Sequence, residues 1–358
     1  MKYSKLILTI LGISLLGYLI VSAGLQEIFG SLEKIGFNIV FVLILYLAVI
    51  YFDTLGWKYV IISKNKSYNF WILLRIKLAG DCVSNVTPAG SLAGEPIKVH
   101  ILTRYGVTFL EGMASAYMAK LLMIKGQILF VFLGLFLILT TQLNHEQEIL
   151  FKVVLIFVLV LSGILGVVYY LGLNKGITNV LLKLLEKLRL NFSFIENQRE
   201  KLALFDEQIT YFYKNHKRDF FYSFFSFFLA WFAGSIEIYL ILYFLDFPIT
   251  FVQAIAIESI GTVAKGLTFF IPFNLLQELT FIGLFKLILN TEATDIAISC
   301  SLIRRFRELL WVSIGFFILR QFDLKLPKIF KKNKVPKDSK SNADPLNDST
   351  PSDLANEN

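Results

Sequence analysis

Six long apolar stretches dominate the hydrophobic pattern of this chain. Each is 18 residues or longer, the length that a helix needs to cross the hydrocarbon core of a bilayer. They are Leu6–Ala23, Phe37–Trp57, Leu121–Leu139, Ile149–Leu171, Phe220–Leu245 and Ile296–Leu319. Because lipid offers backbone groups no hydrogen-bond partner, this pattern predicts an all-α polytopic membrane protein.

Two further apolar segments, Phe70–Glu95 and Phe251–Glu278, are interrupted by polar residues, glycine and proline. We expect both to be re-entrant broken helices, which enter the membrane, break and return on the same side. The charge pattern described below would fail if either segment crossed the bilayer alone. Irregular backbone is tolerated at membrane depth only where protein or a water-filled cavity covers it.

The breaks themselves carry polar groups. In the run NVTPAGSLAGEP, Asn85 offers a polar side chain where the helix breaks at Pro88, and Glu95 begins the returning arm. Pro272 and Glu278 hold the corresponding places in the second segment. Half-helices of this kind free backbone N–H groups, and their positive ends attract anions.

The two interrupted segments also share a spacing. Pro88 precedes Lys120 by 32 residues, and Pro272 precedes Arg304 by 32 residues, which gives an offset of 184 between the two halves. Three predicted spans separate the copies, and an odd number places the second copy upside down. The sequence therefore predicts two inverted repeats, as in many transporters. Chance spacing between two ordinary loops is the alternative.

Composition and charge agree with a membrane protein. The chain is 56% hydrophobic and 17% charged, whereas soluble domains are nearer 45–50% and about 25%. The net charge of +8 is concentrated near residues 2–5, 58–66, 174–218 and 325–340, and the loops 24–36, 142–148 and 246–250 contain a single lysine or arginine, Lys34. By the positive-inside rule, both termini are predicted to be cytoplasmic, and we expect the membrane to be the inner, plasma membrane. A basic inner face beside anionic lipid explains the charge without a nucleic-acid partner.

These observations predict a transmembrane domain over 1–325, with repeat one at about 1–140 and repeat two at about 219–325. The connector 174–217 is predicted to be cytoplasmic and amphipathic, with apolar stripes that include Ile177–Leu188 and then Leu202, Phe205, Ile209 and Phe212. It either lies on the inner leaflet or forms two helices that pack on each other. The polar tail 326–358 is predicted to be disordered.

Motifs of catalysis and metal binding are missing from the sequence. There is no HExxH, Walker A, GxSxG or CxxC motif, and the two cysteines, Cys82 and Cys300, fall in membrane-associated segments. We therefore expect no catalytic residues, no metal site and no cofactor, and the chain is not expected to be an enzyme.

Ionisable residues inside apolar segments are the informative ones, since each charge at the centre of a span costs about 2.5–3.5 kcal/mol on insertion scales. Arg304, Arg305, Arg307 and Glu308 lie near the middle of the last span. Arg304 and Glu308 share a helix face and are expected to neutralise each other, which leaves Arg305 and Arg307 without such a partner. An anionic ligand and a structural ion-pair cluster are the two explanations.

Other ionisable residues extend this hypothesis. Lys120 is the matching cation of the first half, and Glu258 and Lys265 occupy one face of the second re-entrant arm, where they can pair with Lys120 or with the arginines. Lys98 and Arg104 are expected at the cytoplasmic surface, where they either meet a phosphate or anchor the arm. The predicted lipid-binding residues are Asn85, Pro88, Glu95, Lys120, Glu258, Lys265, Pro272, Glu278, Arg304, Arg305 and Glu308.

The run NVTPAGSLAGEP, followed by Arg104-Tyr105-Gly106 and Lys120, resembles the first signature of the lysylphosphatidylglycerol synthase transmembrane-region family. The run FFIPFNLLQE, followed by Arg304-Arg305, resembles its second signature, although this chain has Phe273-Asn274-Leu275-Leu276 where the family tends to carry glycines. The resemblance covers roughly 1–325 and implies a flippase-like membrane protein. Full-length synthases add a soluble aminoacyl-transferase domain, so this chain is expected to lack that activity.

The buried charges and the resemblance together predict translocation of a phospholipid or polyprenyl-linked lipid with an anionic head group. Membrane lipids are the expected partners. The alternative is a non-catalytic membrane subunit that presents lipid to a separate synthase or glycosyltransferase. A membrane-embedded transferase is disfavoured by the missing catalytic pairs.

Overall fold

A computed structural model describes residues 25–63, 68–86, 94–141, 145–175, 199–267, 275–289 and 293–322. These residues are almost entirely α-helical and contain no strand. The helices are α1 (Leu25–Ile35), α2 (Ile39–Val60), α3 (Phe70–Val86), α4 (Glu95–Leu102), α5 (Phe109–Leu139), α6 (His145–Lys175), α7 (Arg199–Asn215), α8 (Lys217–Phe244), α9 (Phe251–Leu267), α10 (Leu275–Leu289) and α11 (Thr294–Gln321).

Four helical stretches are long and apolar enough to cross a membrane, which confirms the prediction of an all-α polytopic membrane protein. They are Ile28–Val60, Phe109–Leu139, Gln147–Ile164 and Lys217–Phe244. The last predicted span is the helix α11, whose 28 residues would reach across a bilayer but whose ionisable side chains exclude it from this apolar set. The first predicted span, Leu6–Ala23, and the tail 326–358 lie outside the described residues.

Local sequence signals explain where α4 and α5 begin and end. Pro96 stands in the first turn of α4, where its missing N–H costs nothing. Gly106 follows α4 and a short 3-10 turn with a φ of 83°, a left-handed conformation that favours glycine. Thr108 and Glu111 then form a reciprocal capping box that starts α5.

The first interrupted segment folds as a tight helical hairpin. The helices α3 and α4 pack antiparallel, and a Cβ built on Gly94 would lie 2.0 Å from the Gly80 carbonyl oxygen, so only glycine allows this approach. The Gly94 N–H also donates to Ser84 Oγ at 3.1 Å. The predicted turning back of the chain is thus observed, whereas entry of the hairpin into a bilayer stays a prediction.

The second interrupted segment repeats this arrangement. The helix α9 begins at Phe251 and ends at Leu267, each 181 positions after the corresponding end of α3. Its partner α10 packs against it, as α4 packs against α3. The two predicted break points, Pro88 and Pro272, lie outside the described residues.

Contacts between the two halves are reciprocal. The helix α3 of the first half packs on α11 of the second, and α9 of the second half packs on α5 of the first. A Cβ on Gly134 of α5 would meet Ser259 of α9, and a Cβ on Gly315 of α11 would meet Leu78 of α3. Gly315 lies 181 positions after Gly134, and Ser259 lies 181 positions after Leu78, so the two contacts are equivalent. The two halves are therefore related by an approximate two-fold axis.

The direction of the central helices shows that the second repeat is inverted. The equivalent helices α2 and α8 pack on each other, with Phe41 beside Phe244 (ring centroids 6.0 Å apart) and Tyr59 beside Tyr222 (5.4 Å). The beginning of each helix thus meets the end of the other. Antiparallel equivalent helices require an axis perpendicular to them, which is the relation between inverted repeats.

The structure corrects the offset between the repeats. At 181 positions, the equivalent of Arg304 is Met123 and that of Lys120 is Ser301, so the two cations are not symmetry mates. The spacing of 184 rested on the two cations and on Pro88 and Pro272, which lie outside the described residues. The ends of α3 and α9 and the equivalent glycines of α5 and α11 all give 181.

The connector helix α7 packs on the protein core through its apolar stripe. Ile209 and Phe212 are fully buried, and the Phe205 ring lies 5.7 Å from that of Tyr117 on α5. The second predicted stripe is therefore a packing face against α5 and α8. The first stripe, Ile177–Leu188, lies outside the described residues, as does the side chain of Leu202.

The glycine at the contact between α11 and α3 predicts a large effect of a small substitution. Gly315→Ala places a Cβ about 2.6 Å from the Leu78 carbonyl oxygen and 2.7 Å from Cys82 Cβ, so backbone must shift, and we expect a loss of about 1–3 kcal/mol of stability. The measurement is thermal unfolding in detergent. Gly163→Ala, at a helical glycine with nothing within 4 Å, is the control and should not lower the melting temperature. Equal melting temperatures for both variants would contradict this packing.

Candidate functional site

An ion-pair cluster lies where α8, α9 and α11 meet. We call it the arginine cluster, and it consists of Glu237, Glu258, Arg304, Arg307 and Glu308. Four of these side chains are almost fully buried, with residue exposures of 0% for Glu237, 6% for Glu258, 4% for Arg304 and 2% for Arg307. Glu237 lies within the candidate span Lys217–Phe244, so the cluster belongs to the membrane-spanning part of the chain.

Arg304 is held by a carboxylate in a two-pronged geometry. Its Nη1 donates to Glu258 Oε2 at 2.9 Å and its Nη2 donates to Glu258 Oε1 at 3.2 Å. Glu237 Oε2 lies 3.9 Å from the same guanidinium, and the Phe281 ring lies 5.6 Å away. Planar bidentate pairs of this kind are the strongest charge-assisted hydrogen bonds in proteins.

Arg307 has a different set of partners. Its guanidinium donates to both carboxylate oxygens of Glu237 and to Glu308 Oε1 at 3.2 Å. The Tyr46 ring of α2 covers it, with the guanidinium carbon 4.0 Å from the ring centroid, which adds a cation–π contact. Tyr46 thereby forms a contact between the first repeat and the arginine cluster of the second repeat.

The pairing differs in part from the sequence expectation. Glu258 does pair with one of the arginines, but Glu308 pairs with Arg307 and not with Arg304. Arg307, expected to lack a partner, has two. The sequence left open whether Glu258 pairs with Lys120 or with an arginine, and spacing along one helix could not show that Glu237, on α8, pairs with Arg307. Arg305 is also buried, at 3% exposure, and makes contacts of its own.

A second charged cluster occupies the first repeat. We call it the lysine cluster, and it joins α2, α3, α4 and α5 through Asp53, Lys77, Asp81, Glu95, Lys98 and Lys120. Asp53 falls within the candidate span Ile28–Val60 and Lys120 within Phe109–Leu139. This cluster therefore also lies among the membrane-spanning helices.

Glu95 and Asp81 hold the lysine cluster together. Lys98 Nζ lies 2.7 Å from Glu95 Oε1 and 3.5 Å from Asp81 Oδ1, and Lys120 Nζ lies 3.5 Å from Glu95 Oε1. On the other side, Lys77 bridges Asp81 and Asp53, the latter at 3.4 Å. Three carboxylates and three ammonium groups alternate, so the cluster is formally neutral.

The two residues expected at the surface separate in the structure. Lys98 is 7% exposed and belongs to the lysine cluster, so its predicted surface position is wrong, because the hairpin turns α4 back into the helix bundle. Arg104 is exposed and donates to the Phe322 backbone oxygen at the end of α11. The anchoring explanation thus fits Arg104.

The other predicted site residues are only partly placed. Asn85 is exposed at the end of α3. The side chains of Lys265, on α9, and Glu278, on α10, are not among those described. Pro88 and Pro272 lie outside the described residues. Among the residues that the structure describes, no group of three metal-ligating side chains comes together.

Three residues of the lysine cluster, and Tyr46 beside the arginine cluster, also carry a signal in the sequence. Asp53 is the only charged side chain in the apolar window Phe37–Trp57, and Lys77 and Asp81 stand four apart on the first interrupted segment. Tyr46 lies seven positions before Asp53, on the same face of α2. Its ring contacts Arg307 of the arginine cluster, so α2 reaches both clusters.

Hydrogen-bond donors remain unused along the face of α11 that carries the arginines. Within the described structure, the Nε atoms of Arg304 and Arg307, the Ser301 hydroxyl and the Trp311 indole N–H are buried without a hydrogen-bond partner. Their spacing of three, three and four residues places them on one side of the helix. Buried donors without acceptors are costly, so this face of α11 has hydrogen-bonding capacity that the described residues do not use.

Comparison with known proteins gives one match. The family model described as "Lysylphosphatidylglycerol synthase TM region" matches residues 6–315. The chain therefore belongs to this family and is a membrane-embedded protein of a family involved in lipid handling. No curated protein and no solved structure matches it.

Proposed function

We propose that this family member translocates an anionic phospholipid or polyprenyl-linked lipid across the inner membrane, and that the head-group phosphate binds Arg304 with help from Arg305. The observation that carries the proposal is the bidentate contact between Arg304 and Glu258. A planar guanidinium binds phosphate with the same two-pronged geometry that it uses for carboxylate. The Glu258 carboxylate thus occupies the position that a phosphate would take.

The unused donors of α11 support the same ligand class. A phosphate has four oxygens and a carboxylate has two, so a phosphate that replaces the carboxylate brings acceptors for further groups. The nearest candidates are Arg304 Nε and the Ser301 hydroxyl, both buried without partners in the described structure. A lipid with an uncharged head group would leave these donors and the displaced charge uncompensated.

The inverted repeats supply a route for alternating access. In transporters with this architecture, one repeat rocks against the other around a binding site near the middle of the membrane. Here the two charged clusters join helices mostly within one repeat, whereas the contacts between repeats involve glycines such as Gly56, Gly134 and Gly315. Small residues at such contacts let the helices of the two repeats approach closely, so the contact between repeats is made by packing and the charged clusters hold each repeat together.

Native mass spectrometry of the purified protein tests the proposed ligand. We expect co-purified lipid to be enriched in anionic head groups relative to the membrane from which the protein was extracted. Arg304→Met should remove that enrichment, since methionine is an unbranched side chain of similar length that lacks the guanidinium group expected to bind phosphate. Bound lipid with the same composition as the membrane would contradict the proposal.

The proposed orientation predicts which loops are reached from each side of the membrane. Thr141, after α5, and Asn215, the last residue of α7, are both exposed, and from the charge distribution we expect them on opposite sides. In a background with Cys82 and Cys300 replaced, a cysteine at Thr141 should react with an impermeant maleimide on intact cells. A cysteine at Asn215 should react only after permeabilisation, and labelling of both from one side would refute the orientation.

A further inference from the structure

We propose that the lysine cluster is a second head-group site, at which Lys120 receives the lipid phosphate before the phosphate reaches the arginine cluster. This role rests on the proposed function, because it concerns the route of the same lipid. The ligand is the phosphodiester group of an anionic lipid. A difference in exposure between equivalent positions of the two repeats supports the second site.

The first repeat is open where the second repeat is closed. Four ionisable residues of the lysine cluster are partly exposed, whereas the residues 181 positions later are buried. The equivalent pairs are Lys120 and Ser301, Asp81 and Thr262, Asp53 and Gly234, and Lys77 and Glu258. The exposed fraction of the side chain is 25% for Lys120 and 33% for Asp81. Inverted repeats that differ in this way are typical of a transporter open toward one side.

Water, rather than lipid, is expected beside these partly exposed charges. Asp53 and Lys120 both lie within candidate membrane spans, where a charge that faces hydrocarbon is costly. Charged side chains at such positions face the bundle interior or a water-filled cavity. Partial exposure excludes a sealed interior for this cluster, so a cavity that admits water satisfies both conditions.

Lys120 is the cation of the cluster that an incoming anion reaches most easily. Lys77 and Lys98 each contact two carboxylates. Among the described residues, Lys120 contacts one carboxylate, that of Glu95 at 3.5 Å, and Lys98 lies closer to the same oxygen at 2.7 Å. A phosphate can therefore bind the Lys120 ammonium without displacing a carboxylate. Arg304 offers no such opening, because a carboxylate holds both of its terminal nitrogens.

The two clusters lie toward opposite ends of the central helices. Asp53 of the lysine cluster stands seven residues before the end of α2, and Glu237 of the arginine cluster stands seven residues before the end of α8. These two helices are antiparallel. Tyr46, which contacts Arg307, is only about 10 Å along α2 from Asp53. A head group that enters at the lysine cluster thus has a short path to the arginine cluster.

The two sites differ in the chemistry that they offer a phosphate. A lysine ammonium is a compact point charge, whereas the arginine guanidinium is a planar fork that holds two oxygens. We expect the lysine cluster to capture the head group briefly and the arginine cluster to retain it. Loss of Lys120 should therefore slow lipid movement and leave the enrichment of co-purified anionic lipid unchanged. From the basic residues Lys64 and Lys66 that follow α2, we expect entry from the cytoplasmic side.

Two single-cysteine proteins test whether the lysine cluster is open. In a background with Cys82 and Cys300 replaced, Lys120→Cys should react with a membrane-impermeant methanethiosulfonate in inside-out membrane vesicles. Ser301→Cys, at the equivalent position of the second repeat, should react about tenfold more slowly, because buried thiols are inert. Equal rates, or reaction of Lys120→Cys only from the outer side, would overturn a cytoplasmic entry site.

Lipid movement tests the role of the Lys120 charge. In phosphatidylcholine vesicles with a trace of labelled phosphatidylglycerol, Lys120→Met should lower the initial rate about tenfold, the low end of electrostatic steering. The rate should also become less sensitive to salt, since the steering charge is missing. Lys152→Met, at an exposed lysine of α6, should keep the wild-type rate. A wild-type rate or an unchanged salt dependence in Lys120→Met would overturn the entry site.

Chemical modification separates the charge from any effect of the substitution on folding. Lys120→Cys is folded and reconstituted first and then treated with aminoethyl methanethiosulfonate, which restores an ammonium group at this position. We expect the rate to recover most of its wild-type value. Sulfonatoethyl methanethiosulfonate, which adds an anion instead, should not restore the rate. Equal rates after the two reagents would show that the charge of residue 120 does not act on the lipid.

A soluble phosphodiester shares the head-group chemistry, and a trapped probe distinguishes it from lipid. Glycerophosphoglycerol enclosed in the vesicles should stay inside while labelled lipid moves. Its release at the rate of lipid movement would assign the site to a soluble ligand and overturn the lipid entry site. Failure of the proposed function looks different, because wild-type protein would then move no labelled lipid under any condition.

Discussion

Arg304→Ala is expected to abolish lipid translocation and to destabilise the protein by about 3–5 kcal/mol, the usual effect of removing one partner of a buried ion pair. The substitution leaves Glu258 without its bidentate partner and removes a cation 3.9 Å from Glu237. Thermal unfolding in detergent measures the destabilisation, and head-group movement in vesicles measures the loss of translocation.

A double variant separates the two effects. Arg304→Met combined with Glu258→Met replaces both charges by apolar side chains of similar length, a change that is often neutral or stabilising. We expect the melting temperature to recover and translocation to stay absent, because the guanidinium group that would bind the phosphate is missing. Translocation that recovers with stability would show that the pair has only a structural role.

Glu95→Gln should have a comparable effect in the other repeat. Glu95 is the carboxylate shared by Lys98, at 2.7 Å, and Lys120, at 3.5 Å. Without it, the lysine cluster carries three ammonium groups against two carboxylates, and we expect a loss of about 3–5 kcal/mol. Lys98→Met in the same chain should restore most of the stability, since it removes the extra charge.

Glu148→Gln is the matched control for this variant. Glu148 accepts from Lys152 at 2.6 Å, as close as the contact in the buried cluster, but both side chains are about half exposed. Exposed pairs contribute little because water and salt screen them. The control should melt at the wild-type temperature. A similar loss of stability in Glu95→Gln and Glu148→Gln would show that burial does not make the ion pairs of Glu95 more stabilising than an exposed pair.

The architecture could be predicted from the sequence because it depends on patterns that repeat along the chain. The apolar windows predicted a helical membrane protein. The interrupted segments predicted that the chain turns back, and the structure shows this as the hairpin with its close contact between Gly80 and Gly94. The inverted relation was predicted from span counting, and the structure shows it directly in the antiparallel packing of α2 and α8. The expected offset was wrong by three residues because prolines in the breaks, rather than contacts between helices, were used to align the halves.

The pairing within the site could not be predicted in the same way. Arg304 and Glu258 are 46 residues apart, and Arg307 and Glu237 are 70 apart, so no spacing rule along one helix connects them. Periodicity identifies which residues share a face, as it did for Arg304 and Glu308, but it does not show which neighbouring helix supplies the closer partner. Lys98 was misplaced for the same reason, since only the packing of the hairpin shows that α4 faces inward.

The most direct test of the account is head-group movement by the purified protein. Vesicles with a trace of head-group-labelled phosphatidylglycerol are treated with a membrane-impermeant reductant that bleaches only the outer leaflet. Wild-type protein should make nearly all of the label accessible over time, whereas empty vesicles and the Arg304→Met, Glu258→Met variant at the same protein density should expose only the outer-leaflet fraction. If the folded wild-type protein binds anionic lipid but leaves the inner label protected, it presents lipid without moving it, and the proposed translocation is wrong.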